Sequence, residues 1–257
     1  MDNTIKVQGL RFCYGKDEIL KNIDLSFERG KFYSIIGPNG SGKTTLLKNI
    51  GKLFNVPKNN IFLLNEDIYS MSNKGVAKKL AMVPQNIAIE YDFTAYEVVL
   101  MARTPFKKRF QDYNGEDFQR VERAMRLTNT WIYKDKSIKS LSGGEQQRVI
   151  AARALCQDTP IVLLDEPTSH LDIQHQISFL NIFKEMKAKL TVIAVMHDLN
   201  LASLYSDEII LLSNGKILAT GSPSKVITRE NIKNVYGIDV DIIRNTSNGS
   251  PYILIKI

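Results

Sequence analysis

The segment that most restricts the architecture of this chain is KFYSIIGPNGSGKTTLLKNIGKL, residues 31–53. A short apolar run stops at a glycine, a helical pattern begins at Thr44, and the turn between them, GPNGSGKT, satisfies G-x-x-x-x-G-K-[ST]. Glycines there let successive backbone N–H groups point inward as a nest for phosphate oxygens, and the helix that follows adds its positive end. Gly37, Pro38, Asn39, Gly40, Ser41, Gly42, Lys43, Thr44 and Thr45 are therefore candidate phosphate-binding residues. Lys43 is placed to reach the outer phosphates and the Thr44 hydroxyl to ligate magnesium.

Strand and helix alternate again downstream. IVLLD (161–165) and TVIAVMH (191–197) are continuous apolar runs rich in β-branched residues, the pattern of strands buried on both faces. HQISFLNIFKEMKAK (175–189) reads as a helix between them, and a strand–helix–strand unit implies a parallel sheet. The start of the chain differs: TIKVQGLRFCY and ILKNIDLSF alternate apolar and polar residues around a turn at Gly15–Asp17. Residues 94–156 are mainly helical, with FTAYEVVLMA, EDFQRVERAMRL and EQQRVIAARAL as the clearest segments. In EIILLSNGKILATG the Asn214–Gly215 pair supplies the two positive φ angles of a type I′ hairpin turn. The tail, 222–257, opens with the helical signal SPSKVITRENIKNVYG and closes on the strand-like YILIKI. These signals describe one α/β core with a helical insertion.

Composition narrows the class. With 44% hydrophobic and 24% charged residues over 257 positions, the chain needs no disulfide to hold a core. No apolar run approaches the roughly 20 residues of a membrane span, and MDNTIKVQGL lacks a secretory pattern. Cys13 and Cys156 form no metal or redox motif, so a reduced, cytosolic compartment is expected. The net charge of +7 attracts anions, but its densest cluster, KKR at 107–109, is shorter than a nucleic-acid patch. No nucleic-acid partner is expected.

A second centre lies at the end of IVLLDE, residues 161–166. Two acids after a strand can be a solvated strand end. Combined with the loop at 37–45, they fit a magnesium-holding Asp165 beside a Glu166 able to polarise water. A base for water favours hydrolysis over the phosphoryl transfer of a kinase. His197 ends the next strand and brings an imidazole to the same sheet edge; it reads either as a γ-phosphate contact or as a structural histidine.

LSGGEQQR, residues 141–148, is a capping box, with Ser142 and Glu145 in S-x-x-E spacing. A cap does not require Gly143 and Gly144, each of which costs a helix about 1 kcal/mol relative to alanine. Those glycines leave free N–H groups open to an anion, making a second phosphate-facing surface. One nucleotide meets both surfaces only if two copies face each other head-to-tail.

The chain resembles the ATP-binding subunits of ABC transporters over essentially all of its length. GPNGSGKTT resembles their Walker A motif, LSGGEQQR their signature, IVLLDE their Walker B and SHLD (169–172) their D-loop. The resemblance implies a P-loop NTPase core of mainly parallel sheet, an N-terminal antiparallel β subdomain and a helical signature subdomain. It implies ATP and magnesium as ligands, with Thr44, Gln85 and Asp165 around the metal and Glu166, His197 and Gln85 at the chemistry. Gln85 in MVPQN matches the Q-loop glutamine and His197 the switch histidine. Tyr14 in FCYG stands where the family stacks adenine, although a lone tyrosine also suits strand packing. Asp172 would lie at a dimer interface. The implied division is a core of 1–85 and 157–257, a helical subdomain of 86–156 and a short C-terminal extension of 222–257.

LDIQHQISFL, MHDLNLASLYSDEIILLSNGKILATGSP and VYGIDVDII are similar to ATPases driving import of iron–siderophores, haem or cobalamin. MARTPF keeps that group's arginine and proline as Arg103 and Pro105, with Ala102 where glycine is usual. The implied partners are a second copy, a polytopic permease and, indirectly, an extracytoplasmic substrate-binding protein, at the cytoplasmic face of the membrane. The other class of reading is a soluble ABC ATPase, for example of iron–sulfur cluster assembly.

Overall fold

The computed structural model describes residues 3–55, 57–85, 91–169, 171–246 and 248–256. Antiparallel β1 (Asn3–Tyr14) and β2 (Asp17–Glu28) pair with several register shifts, and Gly15 in the connecting turn has φ 60°. Then come β3 (Phe32–Ile36), α1 (Lys43–Ile50), β4 (Ile61–Leu63), β5 (Glu66–Asp67), α2 (Asn73–Ala77) and β6 (Leu80–Val83). The helical stretch holds α3 (Ala95–Leu100), α4 (Gly115–Leu127) and α5 (Gly143–Cys156). After it run β7 (Ile161–Asp165), α6 (Ile173–Met186), β8 (Thr191–Val195), α7 (Leu199–Tyr205), β9 (Glu208–Ser213) and β10 (Lys216–Gly221). The tail contains α8 (Pro223–Val226), α9 (Arg229–Tyr236), β11 (Val240–Arg244) and β12 (Pro251–Ile255).

One sheet has the order β2-β1-β4-β5 and is antiparallel. A second has the order β10-β9-β3-β8-β7-β6, parallel except for the β9–β10 hairpin, and β11 and β12 form a separate antiparallel pair. Every residue of β3, β7 and β8 is buried, which explains their unbroken apolar runs. Val7, Leu10, Leu20, Leu46, Leu47, Ile161 and Leu163 fill the core between the two sheets and α1. On the opposite face Phe32, Val149, Val162, Phe179 and Leu211 form a second core beneath the helices. Each fully buried side chain of this kind contributes about 1.5–3 kcal/mol.

The helix starts follow their caps. Thr94 with Glu97, Asn114 with Asp117 and Ser142 with Glu145 each complete a capping box, and Asp172 starts α6 at Ile173, ahead of the apolar periodicity. Asn214 and Gly215 adopt φ 48° and 76°, as the hairpin requires. Two features differ from the sequence expectation. The helical signal after Gly221 is split into α8 and α9, because Thr228 caps a second start by accepting from Asn231 N. Strands β4 and β6, three and four residues long, are too short to register as periodic runs, yet β6 is the edge strand from which Gln85 emerges.

Candidate functional site

The phosphate loop follows β3 and is shaped by contacts that exclude side chains. Gly37 has φ 150°, and a Cβ there would lie 2.1 Å from the Leu212 carbonyl oxygen; at Gly42, φ 102°, it would lie 2.9 Å from Leu20 Cδ2. Only glycine enters such close approaches without moving backbone. α1 starts at Lys43 with no side-chain cap and no acid in its first turn, so its N-terminal amides are not taken by a side chain. Lys43 Nζ donates to the Gly37 and Pro38 carbonyls at 2.8 and 2.9 Å. Burial lowers its affinity for the proton, against the pull of Glu166 and Asp165. The hydroxyl of Ser41 is buried without a hydrogen-bond partner. A cation folded onto its own loop, an orphaned hydroxyl and unclaimed amides together fit an anion such as a nucleotide phosphate.

The carboxyl ends of three neighbouring parallel strands deliver the other groups. Asp165, the last residue of β7 and 2% exposed, accepts from the Thr44 hydroxyl at 3.0 Å. Burial raises its carboxyl above the ordinary aspartate value, and the Thr44 bond opposes this. Glu166 sits at φ 47°, an uncommon conformation for a non-glycine residue that costs on the order of 1–2 kcal/mol. Its carboxylate accepts a short hydrogen bond from Gln85 Nε2, lies 2.6 Å from His197 Nε2 and accepts from Ser169 Oγ at 3.4 Å. Gln85, Glu166 and His197 thus converge from beyond β6, β7 and β8, the region of an α/β sheet where ligands bind.

A hydroxyl, a carboxylate and a side-chain amide, Thr44, Asp165 and Gln85, suit a hard cation that keeps waters and takes further oxygens from phosphates. Among the described residues no group of three or more His, Cys, Asp or Glu side chains forms an all-protein cage, and magnesium with phosphates needs none.

The second glycine turn is a complete capping box. Ser142 N and Oγ each donate to Glu145 Oε2 at 2.7 Å, and Glu145 N donates back to Ser142 Oγ at 3.4 Å. Ser142 and then Tyr133 hold the Glu145 carboxyl down at about 2. None of the hydrogen bonds or ion pairs found among the described residues joins 142–145 to 37–45. Asp172 caps α6 through His175 N at 2.9 Å and is two-thirds exposed. Tyr14 is about half exposed and meets Phe12 and Phe54 edge-on, with centroids 5.0 and 5.6 Å away.

Sequence reasoning did not single out three participants. Phe54 completes the aromatic cluster. His175 packs on Gly144. Burial pushes the hydroxyl of Tyr236, from α9, up to about 12, with the Gly37 backbone beside it acting in the opposite direction. The only local trace of Tyr236 is its place before the helix-ending Gly237, which says nothing of what lies opposite.

The chain is similar to known proteins in sequence and fold. The family model for ABC transporters matches residues 20–169. The ferric enterobactin transport ATP-binding protein FepC of Escherichia coli (strain K12) is 37% identical over 252 residues, 97% of this chain and 93% of that protein. The iron(3+)-hydroxamate import ATP-binding protein FhuC of Bacillus subtilis (strain 168) is 34% identical over 254 residues, 98% and 94% of the two chains. Among solved structures, the dimeric post-hydrolysis state of the ATP-binding cassette MJ0796, bound to ADP and Pi, superposes with a TM-score of 0.73. It is 29% identical, and the match covers 85% of this chain and 98% of that one.

Proposed function

The chain belongs to the ABC transporter family as an ATP-hydrolysing subunit, and on that premise we propose that two copies close head-to-tail around two ATP molecules to drive cargo import through separate permease subunits. The cargo class is that of ferric siderophores, haem and cobalamin. The observation that carries the reading is the convergence of Gln85, Glu166 and His197 one residue away from the Asp165–Thr44 pair.

The phosphates take the place of the Gly37 and Pro38 carbonyls as partners of Lys43, and the loop amides and Ser41 hydroxyl complete the nest. Thr44, Asp165 and Gln85 would hold magnesium, which would supply neutralisation of the phosphate charge. Glu166 orients the attacking water and accepts its proton. His197 contacts the γ-phosphate and, with Nε2 2.6 Å from Glu166, keeps that carboxylate aimed. Tyr14 offers its half-exposed ring to adenine. The 142–145 turn of the other copy, with Ser142, Gly143, Gly144 and Glu145, caps the γ-phosphate, and Asp172 lies in the same interface.

Gln85 contacts the hydrolytic carboxylate and precedes the helical subdomain, taken as 86–156 between core segments 1–85 and 157–257. It therefore couples nucleotide state to the face that grips the permease. The extension, 222–257, remains with the core through Tyr236 and through Asn200, whose side chain pairs with Ile253. No helix among the described residues is long and apolar enough to cross a membrane, which agrees with translocation through other polypeptides. FepC and FhuC, described as transport and import proteins, support a peripheral position at the cytoplasmic face and an extracytoplasmic binding protein as indirect partner.

The test is to express tagged Glu166→Gln in its native cell, add ATP, extract membranes gently and identify what co-purifies. A polytopic permease whose binding protein takes a chelated metal supports the reading. A soluble scaffold in its place would remove the transport role and leave the ATPase.

A further inference from the structure

The two glycines of the 142–145 turn are not equivalent. A Cβ on Gly143 would meet nothing within 4 Å, whereas on Gly144 it would approach His175 Cδ2, Cγ and Nε2 at 3.1, 3.3 and 3.5 Å. Gly144 is thus a seat for an imidazole. The ring is held from its other side, with Nδ1 lying 2.7 Å from Asp172 Oδ1. A carboxylate only accepts, so Nδ1 carries the proton. The same oxygen accepts the backbone N–H of His175 and caps α6. Alongside, Gln147 Nε2 on α5 donates to the Pro167 carbonyl at 3.1 Å. Gln176 Nε2 on α6 donates to the Thr168 and Leu171 carbonyls at 3.2 and 3.0 Å. The N-terminal halves of α5 and α6 therefore grip the segment that leaves Glu166, and His175 bridges them.

We propose that His175 is a positioning residue: clamped between Asp172 and Gly144, its ring fixes the 142–145 turn relative to the segment following Glu166. The hydrolysis site of one copy thereby sets the turn that the same copy presents to nucleotide held by the other. This rests on the two-copy reading above. It also gives the second glycine a further reason, since a Cβ at 144 would push the ring by a few tenths of an ångström.

The experiment is steady-state ATP hydrolysis by the full chain across ATP concentrations, with a mutant cycle over positions 144 and 175. His175→Ala should lower kcat about tenfold and bring the Hill coefficient from above 1 towards 1, without changing ATP affinity of the isolated copy. His175→Asn keeps a donor towards Asp172 but no ring over Gly144; it should show the same loss and serves if the alanine variant does not fold. Gly144→Ala should be damaging alone and add little to His175→Ala, because the ring it displaces is already gone. Glu166→Gln with and without His175→Ala is sedimented with ATP in parallel. If neither dimerises, the two-copy reading fails and this inference with it. If both dimerise, yet His175→Ala keeps the wild-type kcat and Hill coefficient or the cycle is additive, the role of His175 alone is overturned.

Discussion

Glu166 combines a left-handed backbone, a carboxylate held by Gln85 and His197, and a place one residue past the sheet. Its neighbour Asp165 is held at a cost too. Burial raises the Asp165 carboxyl above the ordinary 3.8, so it ionises less readily in the folded chain than in the unfolded one. The contribution of Asp165 to stability therefore declines as pH rises above that ordinary value, where the unfolded chain ionises first. Asp165→Asn should gain about 0.5–2 kcal/mol at pH 7, with the gain shrinking as pH falls towards 4, and should lose magnesium-dependent hydrolysis. Urea unfolding of both proteins at the two pH values checks the sign; an equal gain at both would contradict it. Gly37→Ala should cost about 2–4 kcal/mol in the same assay, since its Cβ would overlap the Leu212 carbonyl, and a cost below about 0.5 kcal/mol would place the loop differently. The phosphate-loop and carboxylate residues were legible in the sequence because each lies in one short run with its own spacing. Tyr236 was not: its contact with Gly37 spans most of the chain, and no local pattern encodes it.

Among the elements, the helices between β6 and β7 are organised around a buried ion cluster. Arg103, 6% exposed, donates to Asp117 at 3.1 Å and to the Cys156 and Gln157 carbonyls at 3.1 and 3.3 Å, while its guanidinium lies 4.0 Å over the Phe106 ring. Burial works against ionisation of Asp117, but Lys107, the Asn114 amide and Arg103 outweigh it and hold the carboxyl below its usual range. Arg103→Ala leaves a buried carboxylate and two carbonyls short of partners and should cost about 3–5 kcal/mol by urea unfolding; a cost under about 1 kcal/mol would make the cluster a surface feature. Ala102 is 3% exposed in the same turn, so alanine in place of the group's usual glycine is accommodated. The sequence revealed α3, α4, α5 and α6 as helical runs, and α5 through its capping box as well. It hid β4, β5 and β6, whose pairing with distant strands rather than any period of their own defines them.

At the scale of the whole molecule, no hydrogen bond among the described residues joins the phosphate loop to the signature turn, and the proposed pairing of two copies would give the second surface its use. Ser142→Arg should leave ATP affinity of the isolated copy unchanged and abolish hydrolysis, because the turn serves the partner's nucleotide. Loss of affinity in the isolated copy would put the turn in its own site. The most direct measurement is sedimentation of Glu166→Gln with ATP and magnesium, alongside its hydrolysis rate. The 29.1 kDa chain should convert to a species of about twice that mass. Hydrolysis should fall by about 10²–10⁴-fold with the loss of the base. A species that stays at 29.1 kDa, or that hydrolyses ATP at the wild-type rate, would contradict the two-copy reading or the role of Glu166.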